Sequence, residues 1–466
     1  MWLRKFTHAI CSAVIVESIP HVNIIPAFVR NRIAHRPNLV KIVDNIGWLF
    51  FDKILRMGVG VLVWVWIARY LGPDQFGLLN FAMAFTGLFG ALAALGLQGI
   101  VVRDIVRDPK STNQTLGTAA LLQLIAGLVT FLLIFISIAY LRPDDALSRS
   151  VVAILGTIMT LKASEIAVYW FESQVQSKYT VWVQNSVFLV FSAIKVAMIM
   201  QSAPIVAFAW AMLAEAAVGA LVLLFVMGIR GPRLNQLAVN FERAKSLLRD
   251  SWPIIISSIS IAVYTKIDQI MLGQMAGDEV VGIYSAAVRI SEIWYFVPMG
   301  IMASVFPAIL EAKKRSELEF YERLQKLFDL MVTISVFVAL PMTFMAIPLI
   351  QILFGDSYAE AGVVLTIHIW AAVFVFLGVA NGSWFLVENR LLLSLHRTAL
   401  GAVSNIILNL ILIPAFGVTG AALALVISQA LASFFYDGLQ KETRKIFAMK
   451  ISSLNPFAVY KRYKAN

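Results

Sequence analysis

Leu71–Ala82 reads LGPDQFGLLNFA, and Ala276–Ala287, 205 positions further on, reads AGDEVVGIYSAA. The offset lays Gly72 over Gly277, Asp74 over Glu279 and Gly77 over Gly282. Each stretch joins two long apolar runs, where a chain that has crossed a bilayer turns to cross back. The same offset pairs Pro143 with Pro348, read as the positions just after the third span of each half. Two halves that share a pattern are the mark of a duplicated transporter. If each half has an even number of spans, both insert the same way up, related by an axis along the membrane normal, with the substrate path between them.

Composition fixes lipid as the solvent. The 466 residues are 60% hydrophobic and 14% charged, with a mean hydropathy of +0.81; ordinary soluble domains carry about 25% charged residues. A spanning helix needs about 20 mostly apolar residues, because its backbone groups must be satisfied where no water is available. Twelve such runs are read, six of them near 43–69, 77–102, 115–140, 150–171, 180–200 and 204–228. The other six lie near 252–275, 281–309, 327–350, 362–386, 394–414 and 418–438. The expected fold is an all-α integral membrane protein with two six-helix bundles related by a pseudo-twofold. The divisions are a cytoplasmic extension at 1–41, a first lobe at 42–229, a linker at 230–250, a second lobe at 251–440 and a tail at 441–466.

Basic residues resist translocation and collect on the cytoplasmic side. Of 38 lysines and arginines, only Arg69, Arg142 and Arg149 fall on the side opposite the termini, whereas Arg230–Arg249, Lys313–Lys326 and the stretch after Asp437 are rich in them. Both termini are therefore expected in the cytoplasm and the protein in the inner membrane. The net charge of +11 is mostly topological, favours anionic lipids and gives no reason to invoke nucleic acid. The start MWLRKFTHAICSAVIV resembles a signal peptide, but Glu17 and Pro20 follow without a small-residue cleavage pattern, so an uncleaved extension is expected. The single Cys11 has no internal disulfide partner.

Six cations then remain within spans, Lys53, Arg56, Lys162, Lys195, Lys266 and Arg289, with five acids, Asp52, Glu165, Glu215, Asp268 and Glu292. A charge facing lipid at mid-depth costs about 2.5–3.5 kcal/mol or more, so these side chains must meet a partner or a wet cavity. Asp52 and Arg56, Lys162 and Glu165, and Arg289 and Glu292 are spaced to be neighbours on one helix face. Lys53, Lys195, Lys266 and Glu215 have no such local answer. Two readings stand: interhelical salt bridges that fix packing, or an aqueous vestibule lined by the first helix of each half, with Lys53, Arg56 and Lys266 touching ligand. Lys195 suits snorkelling to the interface. Glu215 is a candidate coupling acid, and His368 is either a proton relay or a histidine hydrogen-bonded to a neighbouring helix. Trp64 either packs or stacks on sugar.

The chain has no Walker-type loop, no HExxH or paired-cysteine metal site and no DxD, so neither cofactor nor metal is expected. A glycosyltransferase or polymerase would need acids and a sizeable external loop, and none of the external loops is long. Transport remains.

ARYLGPDQFGLLNFA, WPIIISSISIAVYTKIDQIMLG, GIYSAAVRISEIWYFVP and NIILNLILIPAFGVTGAALALVIS occur in an order that resembles polysaccharide (O-antigen, Wzx-type) flippases of the MATE-like MOP exporter superfamily. The likeness runs from about Lys41 to Gln440. It implies an alternating-access carrier, not an enzyme, that moves an undecaprenyl-pyrophosphate-linked oligosaccharide from the cytoplasmic to the periplasmic leaflet. The implied partners are that glycan, membrane lipids, a polysaccharide polymerase and a chain-length regulator. Arg56 and Arg289 would suit the pyrophosphate, because planar guanidinium forks bind it well. Lys53 and Lys266 would add point charge, and Asp52 and Asp268 would keep the anion from binding too tightly. Glu165, Glu215 and Lys162 remain candidates for lumen charge or coupling. The alternatives are a cation-coupled multidrug exporter of the same superfamily, which would want an acidic lumen, and a membrane polymerase or ligase.

Overall fold

The computed structural model describes residues 37–464. The signal-like start, Cys11 and most of the expected N-terminal extension lie outside the described residues. Among those described the chain is helical and without strands: α1 (Pro37–Ala94), α2 (Gln98–Arg107), α3 (Thr112–Leu141), α4 (Ala146–Gly156), α5 (Ile166–Ser173), α6 (Ser177–Met200) and α7 (Ile205–Arg230). There follow α8 (Phe241–Met275), α9 (Asp278–Glu292), α10 (Phe296–Arg315), α11 (Glu317–Phe354), α12 (Ala359–His368), α13 (Ala371–Val387), α14 (Leu391–Ala430), α15 (Tyr436–Leu439), α16 (Arg444–Leu454) and α17 (Pro456–Lys464). Among the described residues nine helical stretches are long and apolar enough to cross a membrane, or ten when the pair around α12 and α13, bent by 44°, counts as one more.

Why these helices lie in lipid is visible on α3. Leu124, Leu128, Leu132 and Ile136 follow one another at four-residue intervals on one face, all exposed. A stripe of that size would drive aggregation in water, whereas hydrocarbon solvates it. The protein is a multi-pass membrane protein.

Two of the longest helices contain a break. Gly72 (φ 73, ψ 170) interrupts α1, and Gly417 (φ 57, ψ −133) interrupts α14. A side chain is strained at such φ values, and glycine is not. Gly277, the partner of Gly72 under the 205-residue offset, has nearly the same conformation (φ 93, ψ 171) and caps the start of α9. The duplicated pattern thus reappears as duplicated backbone geometry.

The halves interlock where these turns lie. A β-carbon on Gly77 would collide with the carbonyl of Asp278, and one on Gly282 with the carbonyl of Pro73. Under the offset Asp278 corresponds to Pro73, so the contact is reciprocal. Beside it Tyr358 donates to the Ala68 carbonyl at 2.8 Å and Arg69 to the Ile352 carbonyl at 2.6 Å. Arg142, in the loop after α3, forks onto both carboxylate oxygens of Asp278 at 2.8 Å and lies over the Phe81 ring at 3.8 Å. One buried core, holding Phe76, Phe81 and Phe85 from the first half and Val281, Tyr284 and Ile369 from the second, runs through this junction.

The offset does not hold everywhere. Pro348 lies inside α11, which continues to Phe354, whereas Pro143 follows the end of α3 at Leu141; the two are not equivalent. A membrane helix tolerates such a proline because neighbours can satisfy the freed carbonyl. Within the stretch 230–250, α8 begins at Phe241, capped by the Asn240 side chain on the Arg243 N–H at 2.9 Å. Arg243 then reaches back to Asp104 at 3.0 Å and Thr115 at 3.1 Å in the first half.

Candidate functional site

A cavity of about 410 Å³ lies between α1 of the first half and the α9–α10 junction of the second. Its charged lining is Asp52, Lys53 and Arg56 from α1, with Arg289 and Glu292 from α9. The helical spacing closes Asp52 onto Arg56, whose Nε donates to Oδ1 at 2.8 Å. The expected Arg289–Glu292 pair does not close. Arg289 instead lies over the Trp64 ring at 5.5 Å, and among the described residues its guanidinium has no hydrogen bond or ion pair. Arg56 is similarly 5.3 Å above Phe188. A guanidinium resting on an aromatic face keeps its in-plane N–H groups free for an anion. Lys53 is exposed and unpaired among the described residues.

Arg56 also lines a second cavity, of about 400 Å³, enclosed by the first half alone. Here α4 passes into a nine-residue 3₁₀ segment, Thr157–Glu165, before resuming as α5. Runs of that winding longer than three or four residues are uncommon and often mark functional segments. Three residues per turn bring Lys162 and Glu165 into line, and the ammonium donates to the carboxylate at 2.6 Å. Tyr169 donates to the other oxygen of Glu165 at 3.1 Å and accepts from Gln123 at 2.9 Å. Glu215 lines the same chamber and is bound by Lys195 at 2.6 Å. Lys195 therefore turns inward to a carboxylate and does not snorkel, and Glu215 is not an isolated acid.

Asp268 does not reach either cavity. It is buried, 3% exposed, and accepts hydrogen bonds from Tyr284 at 3.0 Å and Asn409 at 2.5 Å. Asn409 in turn donates to Asn405 at 3.2 Å. The carboxylate expected to act as a lumen charge is thus occupied by Tyr284 and Asn409. Lys266 also lies outside the two linings. His368 is buried and shares a 2.9 Å hydrogen bond with the Ser291 hydroxyl, the neighbouring-helix arrangement. Trp64 packs edge-on to Phe76 while carrying Arg289 on its face. No cluster of three metal-ligating side chains occurs among the described residues.

Sequence reading missed Tyr169, Gln184 and Gln98, which line the second chamber, and Phe188 beneath Arg56; it singled out Trp64 but not its place beneath Arg289. Uncharged polar residues do not stand out in a membrane sequence as charges do. The one signal available was the run of polar residues, Gln174, Gln176, Gln184 and Asn185, flanking and entering the fifth apolar run.

Residues 42–313 match the family described as polysaccharide biosynthesis protein, and residues 253–411 match the family described as MatE. A probable low-salt glycan biosynthesis flippase of Haloferax volcanii is 24% identical over 396 residues, covering 82% of this chain and 80% of its own length. The capsular polysaccharide biosynthesis protein CapF of Staphylococcus aureus is 21% identical over 400 residues, covering 84% and 98%. Among solved structures, the inward-facing conformation of a multidrug resistance MATE family transporter superposes with a TM-score of 0.69 at 16% identity, covering 85% of this chain and 95% of the other. The lipid II flippase MurJ in an inward closed conformation superposes with a TM-score of 0.68 at 13% identity, covering 91% and 93%.

Proposed function

The chain belongs to the polysaccharide biosynthesis protein family, and from that premise we propose that its interhalf cavity carries the diphosphate head of a lipid-linked oligosaccharide. The protein is a MOP-superfamily flippase of polysaccharide biosynthesis and not an enzyme. The observation that carries the substrate reading is the cavity itself, where Lys53, Arg56 and Arg289 face only Asp52 and Glu292, and Asp52 is already spent on Arg56. A cation-coupled drug exporter would want the opposite balance.

Counting each half of α1 and of α14 on either side of Gly72 and Gly417 as a separate span turns the ten candidates into the twelve expected from sequence, six per half. The reading is then of two six-helix bundles, 42–229 and 251–440, both termini in the cytoplasm of a cell whose inner membrane holds the protein. Arg142 and Arg69 belong to the outer face, so the interlocked glycines close that face and the cavities open inward. The diphosphate enters from the inner leaflet, Arg56 and Arg289 grip it with charge-assisted forks, Lys53 adds exposed positive charge, and Lys266, outside the lining, adds to the positive field. The polyprenyl tail stays in lipid. Rocking of the bundles about the glycine junction would then present the head to the other leaflet, where the polymerase and chain-length regulator of the pathway would take the product.

The experiment is Arg56→Ala with Arg289→Ala in cells that display the polysaccharide. The expected result is loss of surface glycan and accumulation of lipid-linked repeat facing the cytoplasm, at normal protein level. Normal display overturns the assignment.

A further inference from the structure

We propose that the chamber inside the first half is a saccharide subsite, built to take the sugars joined to the diphosphate; the proposal rests on the flippase reading above. The two cavities, of about 400 and about 410 Å³, share a single lining side chain, Arg56. A ligand whose phosphates sit against Arg56 and Arg289 can direct what is covalently attached to lipid, to the water at the open mouth, or past Arg56 into the other cavity, whose polar lining can bind it. A hydroxyl-rich chain does not enter lipid.

The chemistry of the two linings divides the ligand. In the interhalf cavity Lys53 and Arg289 have no hydrogen bond or ion pair among the described residues, which suits an anion. In the inner chamber Lys162 is bound to Glu165 and Lys195 to Glu215, both at 2.6 Å. The charge there is cancelled in place, leaving alternating donors and acceptors with little net field. That suits a neutral polyol better than a phosphate. Gln184 lines the same wall and forms no hydrogen bond among the described residues, so its amide can offer a donor and an acceptor to vicinal hydroxyls. Between these polar groups run Leu161, Val168 and Leu223, apolar patches of the kind a pyranose covers with its C–H face.

The backbone supports the same purpose. The 3₁₀ winding of Thr157–Glu165 is accommodated because α3 has glycine at position 127, where a β-carbon would strike the Met159 carbonyl. The second half has its own break at the bent pair α12 and α13, which meet at 44°. There the polar groups answer one another instead: His368 holds Ser291, and Asp268 is filled by Tyr284 and Asn409. The halves share the broken fourth span and differ in whether it is left open to a ligand.

Gly219 of α7 supplies a test that leaves the fold alone. It lines the chamber, and a β-carbon there meets no atom within 4 Å, so Gly219→Leu fills empty space. The full chain in lipid nanodiscs is titrated with undecaprenyl diphosphate and with the same lipid bearing the repeat unit extracted from the host membrane. The expected result is that Gly219→Leu and Glu165→Gln each weaken the glycan-bearing lipid by about tenfold or more, the scale of a lost charge-assisted hydrogen bond or a blocked site. Both variants are expected to bind bare undecaprenyl diphosphate as the wild type does, while Arg56→Ala weakens both lipids. If the two chamber variants bind the glycan-bearing lipid as tightly as wild type, or lose both lipids equally, the subsite is overturned and the flippase reading stands. A wild type that binds neither lipid overturns the flippase reading, and the subsite with it.

Discussion

Gly77 and Gly282 occupy each other's only available space: a β-carbon on the first would strike the backbone of Asp278 and Gly282, and one on the second the backbone of Pro73 and Gly77. Backbone cannot yield as a side-chain tip can, so alanine at either position must push the halves apart or distort a helix, at a cost of about 1–3 kcal/mol. Gly77→Ala is expected to fold yet populate a form opened at this end. Spin labels at the exposed Tyr140 and Ile352, one in each half, would report it as a longer mean distance. An unchanged distance distribution would show that the junction is not the pivot.

Arg142 fastens the same end by a different means. Its fork takes both oxygens of Asp278, the Gly273 carbonyl at 2.8 Å and the Ser148 hydroxyl at 2.9 Å, and it is only 10% exposed. Lysine offers a single point charge and no plane to lay on Phe81. Arg142→Lys should therefore lose most of the interaction, and Arg142→Ala should cost about 3–5 kcal/mol by stranding Asp278, read as a lower midpoint in thermal unfolding. Acid should loosen the same corner. Burial alone would raise the carboxyl of Asp145, but hydrogen bonds from the Ser148 hydroxyl and backbone, with Arg142, outweigh it and hold it below 3.8. A carboxyl held lower in the folded chain contributes stability above its unfolded value, and that contribution fades as pH falls below about 4. Asp145→Asn should flatten that part of the acid profile.

What could be read from sequence follows the range of the interaction. Asp52 with Arg56 and Lys162 with Glu165 are neighbours along one helix, and spacing alone pairs them. Lys195 and Glu215 sit on adjacent helices twenty positions apart, and Asp268 finds Asn409 only after 141; no periodicity links them, so Glu215 and Asp268 read as lumen charges and Lys195 as a lysine snorkelling to the interface. The Gly72 and Gly277 turns were legible because a required backbone conformation leaves a residue type behind. Gln184 and Tyr169 were not, because a neutral polar side chain near a span is unremarkable until a cavity is seen beside it.

At the far end of the chain, α16 is held to α11 by Gln325, which donates to the Met449 carbonyl and the Ser453 hydroxyl, and to the preceding helix by a buried ion pair. Lys450 and Asp437 are both fully buried and bonded, and the ammonium also donates to the Ser433 carbonyl at 2.7 Å. Lys450→Met keeps the shape and strands the carboxylate, so it should destabilise by about 3–5 kcal/mol, whereas Lys450→Met with Asp437→Asn should recover much of that loss. Limited proteolysis after Lys441 is the measurement: the single variant should be cut faster than the double. Equal rates would mean that the pair does not hold α16 in place.

Gly60 tests the proposed diphosphate site without altering any charge. A β-carbon there would lie 3.7 Å from the Phe188 ring and 4.0 Å from the Arg289 guanidinium, ordinary contact distances, so Gly60→Ala should bind and transport as the wild type does. A longer side chain has nowhere to go except into the space that Arg289 uses between Trp64 and the cavity. Gly60→Leu is therefore expected to displace the guanidinium and weaken undecaprenyl diphosphate by about 10- to 100-fold, the range of a lost hydrogen bond to a charged group. Crowding at this buried position should cost about 1–3 kcal/mol, offset in part by the gain of a better helix former than glycine, so binding is compared at temperatures well below the unfolding midpoint. Because Arg289 remains in the chain, the net charge of the cavity is preserved. If Gly60→Leu binds the lipid as wild type does while Arg289→Ala does not, the long-range field of Arg289 matters and its placement on Trp64 does not; if both lose binding alike, recognition depends on where the guanidinium is held.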